Sequence, residues 1–102
     1  MGDVLRFQRP AERPIRDEPR WREAVGEQLR EERAGRGERL TDVAGRAGVS
    51  TQYLSELERG LKEPSSEVLA ALAGALRLSV ADLTSRAVER LAAFGGPVCL
   101  AA

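Results

Sequence analysis

The chain contains no histidine, and cysteine, lysine, methionine, tryptophan and tyrosine occur once each. Without histidine there is no imidazole for a nucleophile–base triad or a metal site. One cysteine makes neither an internal disulfide nor a thiolate cluster. Long apolar runs are also missing. Nothing approaches the ~20 residues that span a bilayer, and the arginine-rich start has no apolar signal-peptide segment. These absences predict a cytoplasmic protein with no metal and no cofactor. Charge of one sign is lacking too: sixteen basic residues, all but one of them arginine, meet sixteen acidic residues. Taken at face value, net zero charge argues against a nucleic-acid partner. What is present suffices for one small domain, with 102 residues, 42% hydrophobic and 31% charged.

Residues 1–20 hold three of the five prolines, at positions 10, 14 and 19. Prolines so placed forbid a continuous helix, and no apolar period is sustained, so a flexible arm is predicted. Arg6, Arg9, Arg13, Arg16 and Arg20 stand there against Asp3, Glu12, Asp17 and Glu18. Two readings are open: a solvated tail, or an arm whose arginines reach a DNA minor groove.

From Trp21 the pattern becomes helical. Trp21, Val25, Leu29 and Arg33 recur every fourth position, and Glu23, Glu27 and Glu31 line a second stripe. Gly35 and Gly37 close this helix. A short helix fits Leu40 to Ala47, with Leu40, Val43, Ala44 and Ala47 inward and Arg39, an unusual cap, before it. Gly48-Val49-Ser50 makes a tight turn in which Val49 is buried and Ser50 caps a third helix, Thr51 to Arg59, with Leu54 and Leu57 inward. Pro64-Ser65-Ser66 opens a fourth helix with an apolar face of Val68, Leu69, Leu72, Ala73 and Leu76. Ser79 and Asp82 open a fifth, whose stripe is Val80, Leu83, Ala87, Leu91 and Phe94. Gly95-Gly96-Pro97 ends it. The fold class is all-α, a compact five-helix bundle between a flexible arm and a flexible tail.

Two short helices joined by Ala47-Gly48-Val49-Ser50, with a polar outer face on the second, meet the physical requirements of a helix-turn-helix. With Leu54 and Leu57 inward, Thr51, Gln52, Ser55, Glu56 and Arg59 face out. Gln pairs bidentately with adenine, Glu accepts from cytosine N4, and Thr offers a methyl to thymine. Glu56 is tolerated near phosphates only where it meets a donor. An ordinary solvated surface is the competing reading of this face.

The run from Leu29 to Leu83 resembles the phage-repressor-like (XRE/Cro type) helix-turn-helix family, most specifically in DVAGRAGVS, YLSELERG and EPSSEVLAALAGAL. The resemblance implies a transcription regulator that binds a double-stranded DNA operator as a homodimer, and the missing apolar span implies no membrane partner. It implies base contacts from Thr51, Gln52, Ser55 and Glu56, and phosphate contacts from Arg39, Tyr53, Arg59 and Lys62. It also implies a structural ion pair between Arg33 and Glu58. On this reading residues 1–20 are the arm, 21–84 the DNA-binding domain, 85–94 a helical extension that dimerises through Ala87, Leu91 and Phe94, and 95–102 the tail. Gly45 and Gly74, inside helices, each cost about 1 kcal/mol against alanine.

The run YLSELERGLKEPSSE further resembles actinobacterial activators of Clp protease genes, which places the protein in the cytoplasm at the nucleoid. Leu100-Ala101-Ala102 looks like the tail signal captured by Clp unfoldase–protease machines, against an incidental alanine-rich end. Trp21 anchors the first helix, and Cys99 has no neighbouring cation to activate it. An antitoxin-like interaction module built on the same bundle is the alternative function. No nucleophile–base pair or phosphate loop supports an enzyme. The neutral balance persists locally: residues 21–64 carry 8 basic and 9 acidic residues. DNA binding then requires segregation, with Glu23, Glu27 and Glu31 away from DNA and Arg39, Arg59 and Lys62 around the third helix.

Overall fold

A computed structural model describes residues 19–95, with side chains over 20–93. Residues 1–18 of the arm, Phe94's side chain, Cys99 and Leu100-Ala101-Ala102 lie outside the described residues. Five helices follow in order: α1 (Pro19–Gly35), α2 (Leu40–Ala47), α3 (Thr51–Glu58), α4 (Ser66–Ala75) and α5 (Val80–Gly95). The fold is all-α. Helix α1 starts at Pro19, inside the region read as an arm, because the first helical turn needs no proline N–H. Helix α5 runs unbroken across positions 84 and 85, so the domain and its supposed extension share one helix.

The core is aliphatic. Val25 and Leu29 of α1 meet Val43 and Ala44, Leu54 and Leu57, Leu72 and Leu76, then Leu83 and Ala87. Trp21 packs on its edge, and Val49 is half-buried rather than buried. Ala87 is 1% exposed within the single chain, so the core uses it and it cannot serve a dimer contact. Among the described residues no single helix is long and apolar enough to cross a membrane.

Two backbone features set the crossing geometry. Gly26 of α1 lies against the end of α3. A Cβ there would be 2.7 Å from the Glu58 carbonyl oxygen and closer still to that of Leu57. The first four helices end alike, with the N–H after a left-handed residue bonded back five positions. Gly37, Gly48 and Gly60 take the left-handed position in three of them. Arg77 takes it after α4 at φ +61°, which a Cβ makes costly.

Charge builds the seam between α1 and α5. Arg90 Nε donates to the buried Gln28 Oε1 at 2.8 Å, and its guanidinium also pairs with Glu27 and Glu31. Arg86 Nη1 donates to Glu32 Oε2 at 2.6 Å, which holds the Arg86 pKa above its ordinary value. Two of the three glutamates of the acidic stripe therefore bind α5.

Candidate nucleic-acid interface

Helix α2, the turn at Gly48 and helix α3 form the helix-turn-helix. The turn closes through Val49 N–H donating to the Ala44 carbonyl at 3.0 Å, with Gly48 at φ +77°. Ser50 Oγ accepts from the Tyr53 N–H at 3.0 Å and caps α3. At the start of α2, which has no hydroxyl cap, Asp42 Oδ2 accepts from the Arg39 N–H at 3.0 Å, and the Asp42 N–H donates to the Arg39 carbonyl at 3.0 Å. The Arg39 N–H, and then the Arg39 charge, hold the Asp42 carboxyl below its usual range.

The outward face of α3 carries Thr51 and Gln52 exposed, and Ser55 and Glu56 half-buried. Gln52 Nε2 lies 3.4 Å from Glu56 Oε2, and Lys62 Nζ 3.5 Å from Glu56 Oε1. The Arg39 side chain, 85% exposed, stands at the entry to α2 beside Asp42. Tyr53 is half-buried against the core. Arg59 is exposed and borders a shallow depression with Glu23, Glu27, Arg30 and Glu58. It therefore sits toward α1, whereas Lys62 reaches back over α3.

Helix α3 is braced from α1. Arg33 Nε and Nη2 donate to the two Glu58 carboxylate oxygens at 2.7 and 2.8 Å. Arg33 Nη1 donates to the Glu38 carbonyl at 3.0 Å. The bonds to Glu58 outweigh burial and raise the Arg33 pKa. A forked pair of this kind fixes orientation as well as distance.

Sequence reasoning missed a second brace. Arg46 of α2 donates to the Ala75 carbonyl at the end of α4 through Nε and Nη2, at 3.2 and 2.9 Å. Its Nη2 also donates to Glu38 Oε1 at 2.6 Å. Arg46 first, then Arg36, hold the Glu38 carboxyl below its usual range. No spacing announces this clamp, since Arg46 and Ala75 are far apart in the chain. The α1–α5 seam did have a signal: Glu27 and Glu31 share the period of four with Arg86 and Arg90. Among the described residues no group of His, Cys, Asp or Glu is arranged to hold a metal ion.

The helix-turn-helix family model matches residues 29–83. The chain is 49% identical over 71 residues to the transcriptional regulator ClgR of Mycobacterium tuberculosis H37Rv, a match covering 70% of this chain and 63% of the relative. It is 53% identical over 57 residues to the HTH-type transcriptional regulator DdrOP3 of Deinococcus deserti, covering 56% and 44%. The matches thus span less than two thirds of either relative. Among solved structures, the clp gene regulator ClgR of Corynebacterium glutamicum superposes with a TM-score of 0.71 at 47% identity, over 79% of this chain and 86% of that one. The restriction-modification controller protein C.AhdI of Aeromonas hydrophila superposes at 0.59 with 29% identity, over 61% and 94%.

Proposed function

The chain belongs to the helix-turn-helix family, a non-enzymatic one, and from that premise we propose that it is a sequence-specific, DNA-binding transcriptional regulator. One observation carries the reading. The Ser50-capped helix α3 turns its polar face outward, while the Arg33–Glu58 fork holds its far end against α1. Thr51, Gln52, Ser55 and Glu56 read base edges in the major groove. Arg39, Tyr53, Arg59 and Lys62 contact phosphates on either side. Few cations surround the face, so non-specific grip is weak and base contacts carry the affinity.

Two copies dock through the outer face of α5. The exposed Val80, Ala81 and Val88 share that face with the half-buried Leu91 and Ala92, and Val88 is 51% exposed. This strip replaces the contact that Ala87 cannot make. A closed twofold dimer spaces its recognition helices about 34 Å apart, one DNA turn.

The targets are Clp protease or related stress genes, and the protein activates them from the cytoplasm, at the nucleoid. The names of the ClgR relatives and the YLSELERGLKEPSSE run support this. Leu100-Ala101-Ala102, outside the described residues, marks the protein itself for the Clp machinery.

Affinity for genomic fragments, measured against salt, tests the central reading. A few fragments should bind far above bulk DNA, with log affinity falling linearly in log salt. Equal binding to every fragment overturns it. Cellular half-lives of the native chain and an Ala101→Asp, Ala102→Asp variant test the tail, and unchanged lifetimes reject the signal.

A further inference from the structure

Glu56 is an awkward residue for a helix facing DNA, because a bare carboxylate is repelled by phosphates. Its surroundings resolve this. Gly60, at φ +76°, turns the chain back at the end of α3, and the Leu61 N–H donates to the Glu56 carbonyl at 3.0 Å. That turn delivers Lys62 over the helix, with Nζ 3.5 Å from Glu56 Oε1. Gln52, one turn earlier on the same face, has Nε2 3.4 Å from Glu56 Oε2. Each carboxylate oxygen therefore has its own neighbour, the Gln52 amide hydrogen-bonded to one and the Lys62 ammonium ion-paired with the other. A carboxylate offers about four lone-pair sites, so acceptors remain on both oxygens.

We infer that Lys62 is a positioning residue for base reading: its ammonium neutralises and aims the Glu56 carboxylate so that Glu56 accepts from a cytosine N4 amine in the major groove. Lys62 thereby sets sequence preference, beyond any contact of its own with a phosphate. The inference rests on the reading that the outer face of α3 enters a major groove. Gln52, with one amide hydrogen directed at Glu56, keeps its other hydrogen and its carbonyl for the neighbouring base pair. Two adjacent base pairs are then read by one coupled unit of three side chains.

Selection from a randomised duplex library, with the full chain and its Glu56→Ala, Lys62→Ala and Lys62→Arg variants, tests this. Far-UV circular dichroism establishes that each variant is folded. Glu56→Ala should lower the preference for cytosine at one position by roughly tenfold. Lys62→Ala should lower it at that same position, the double variant should lose little more, and Lys62→Arg should restore it. If Lys62→Ala weakens all duplexes by one factor, leaves preference intact and reduces the salt slope by about 1, Lys62 is a phosphate contact only and the inference fails. If the unmodified chain enriches no sequence, the groove reading fails and takes this inference with it.

Discussion

Arg33 grips Glu58 with a two-pronged bond across 25 positions of sequence, tying the end of α1 to the end of α3. The Arg33 and Glu58 side chains are only 17% and 6% exposed, so neither charge is well hydrated alone. Removing one partner strands the other. Glu58→Ala should destabilise by about 3 kcal/mol, whereas Arg33→Met with Glu58→Met should cost less than the two single changes summed. Denaturant unfolding of Glu58→Ala, of Arg33→Met and Glu58→Met singly, and of the Met double variant checks this, and additive costs in the Met series would show that the fork carries no coupling.

Gly26 of α1 faces the end of α3, with backbone oxygens where a Cβ would go. Gly26→Ala must push α3 outward, costing about 1–3 kcal/mol. With α3 proposed to carry the reading face, DNA affinity should fall even at temperatures where the variant is folded. Thermal melting and fluorescence anisotropy, run together, separate the two effects.

At the end of α4 two substitutions should stabilise. Arg77 occupies a left-handed position that Gly37, Gly48 and Gly60 fill at the other three helix ends. Arg77→Gly should gain about 1 kcal/mol by removing that strain. Gly74 is exposed, with open space around its Cα, so Gly74→Ala should gain about 1 kcal/mol from helix propensity. A lower melting temperature in either variant contradicts the assignment.

Acid should weaken the clamp between α2 and the neighbouring segments. Glu38, held down first by Arg46, and Asp42, held down first by the Arg39 N–H, titrate below their unfolded values of about 4. Their contributions are fully present above those values and are lost as pH falls through the folded ones. With no histidine in the chain, the melting temperature should be nearly level from about pH 7 to 5 and fall below about pH 4. The gap between wild type and Glu38→Gln should close across the acid limb; a gap independent of pH would contradict the pairing.

Base and phosphate contacts should separate by how substitutions act on different sequences. Gln52→Ala should narrow the ratio of specific to non-specific affinity. Arg39→Ala, removing a side chain 85% exposed at the entry to α2, should weaken all duplexes alike and lower the salt slope by about 1. Identical behaviour of the two variants would reject the division of roles.

The capped turns and apolar stripes were legible because their signals are local. Ser50, Ser65 and Ser79 each bond the N–H three residues on, and Leu54 and Leu57 are inward by helical period alone. Pro19 was misread for the same reason: a proline breaks a helix from inside but suits its first turn, and only the flanking chain decides which.

The five helices, the tight turn and the polar outer face of α3 are encoded locally, since each follows from spacing and cap chemistry within a few residues. That Gly26 admits α3, that Arg46 caps α4, that Ala87 belongs to the core and that Lys62 lies beside Glu56 emerge only from the folded arrangement. These depend on distances between segments far apart in the chain, which no local period encodes. Where the charges of this neutral chain are spent belongs with them. Helix α1 carries four arginines and four glutamates, and three of those glutamates pair with Arg86 and Arg90 of α5, so the balance describes how helices are joined more than what the protein binds.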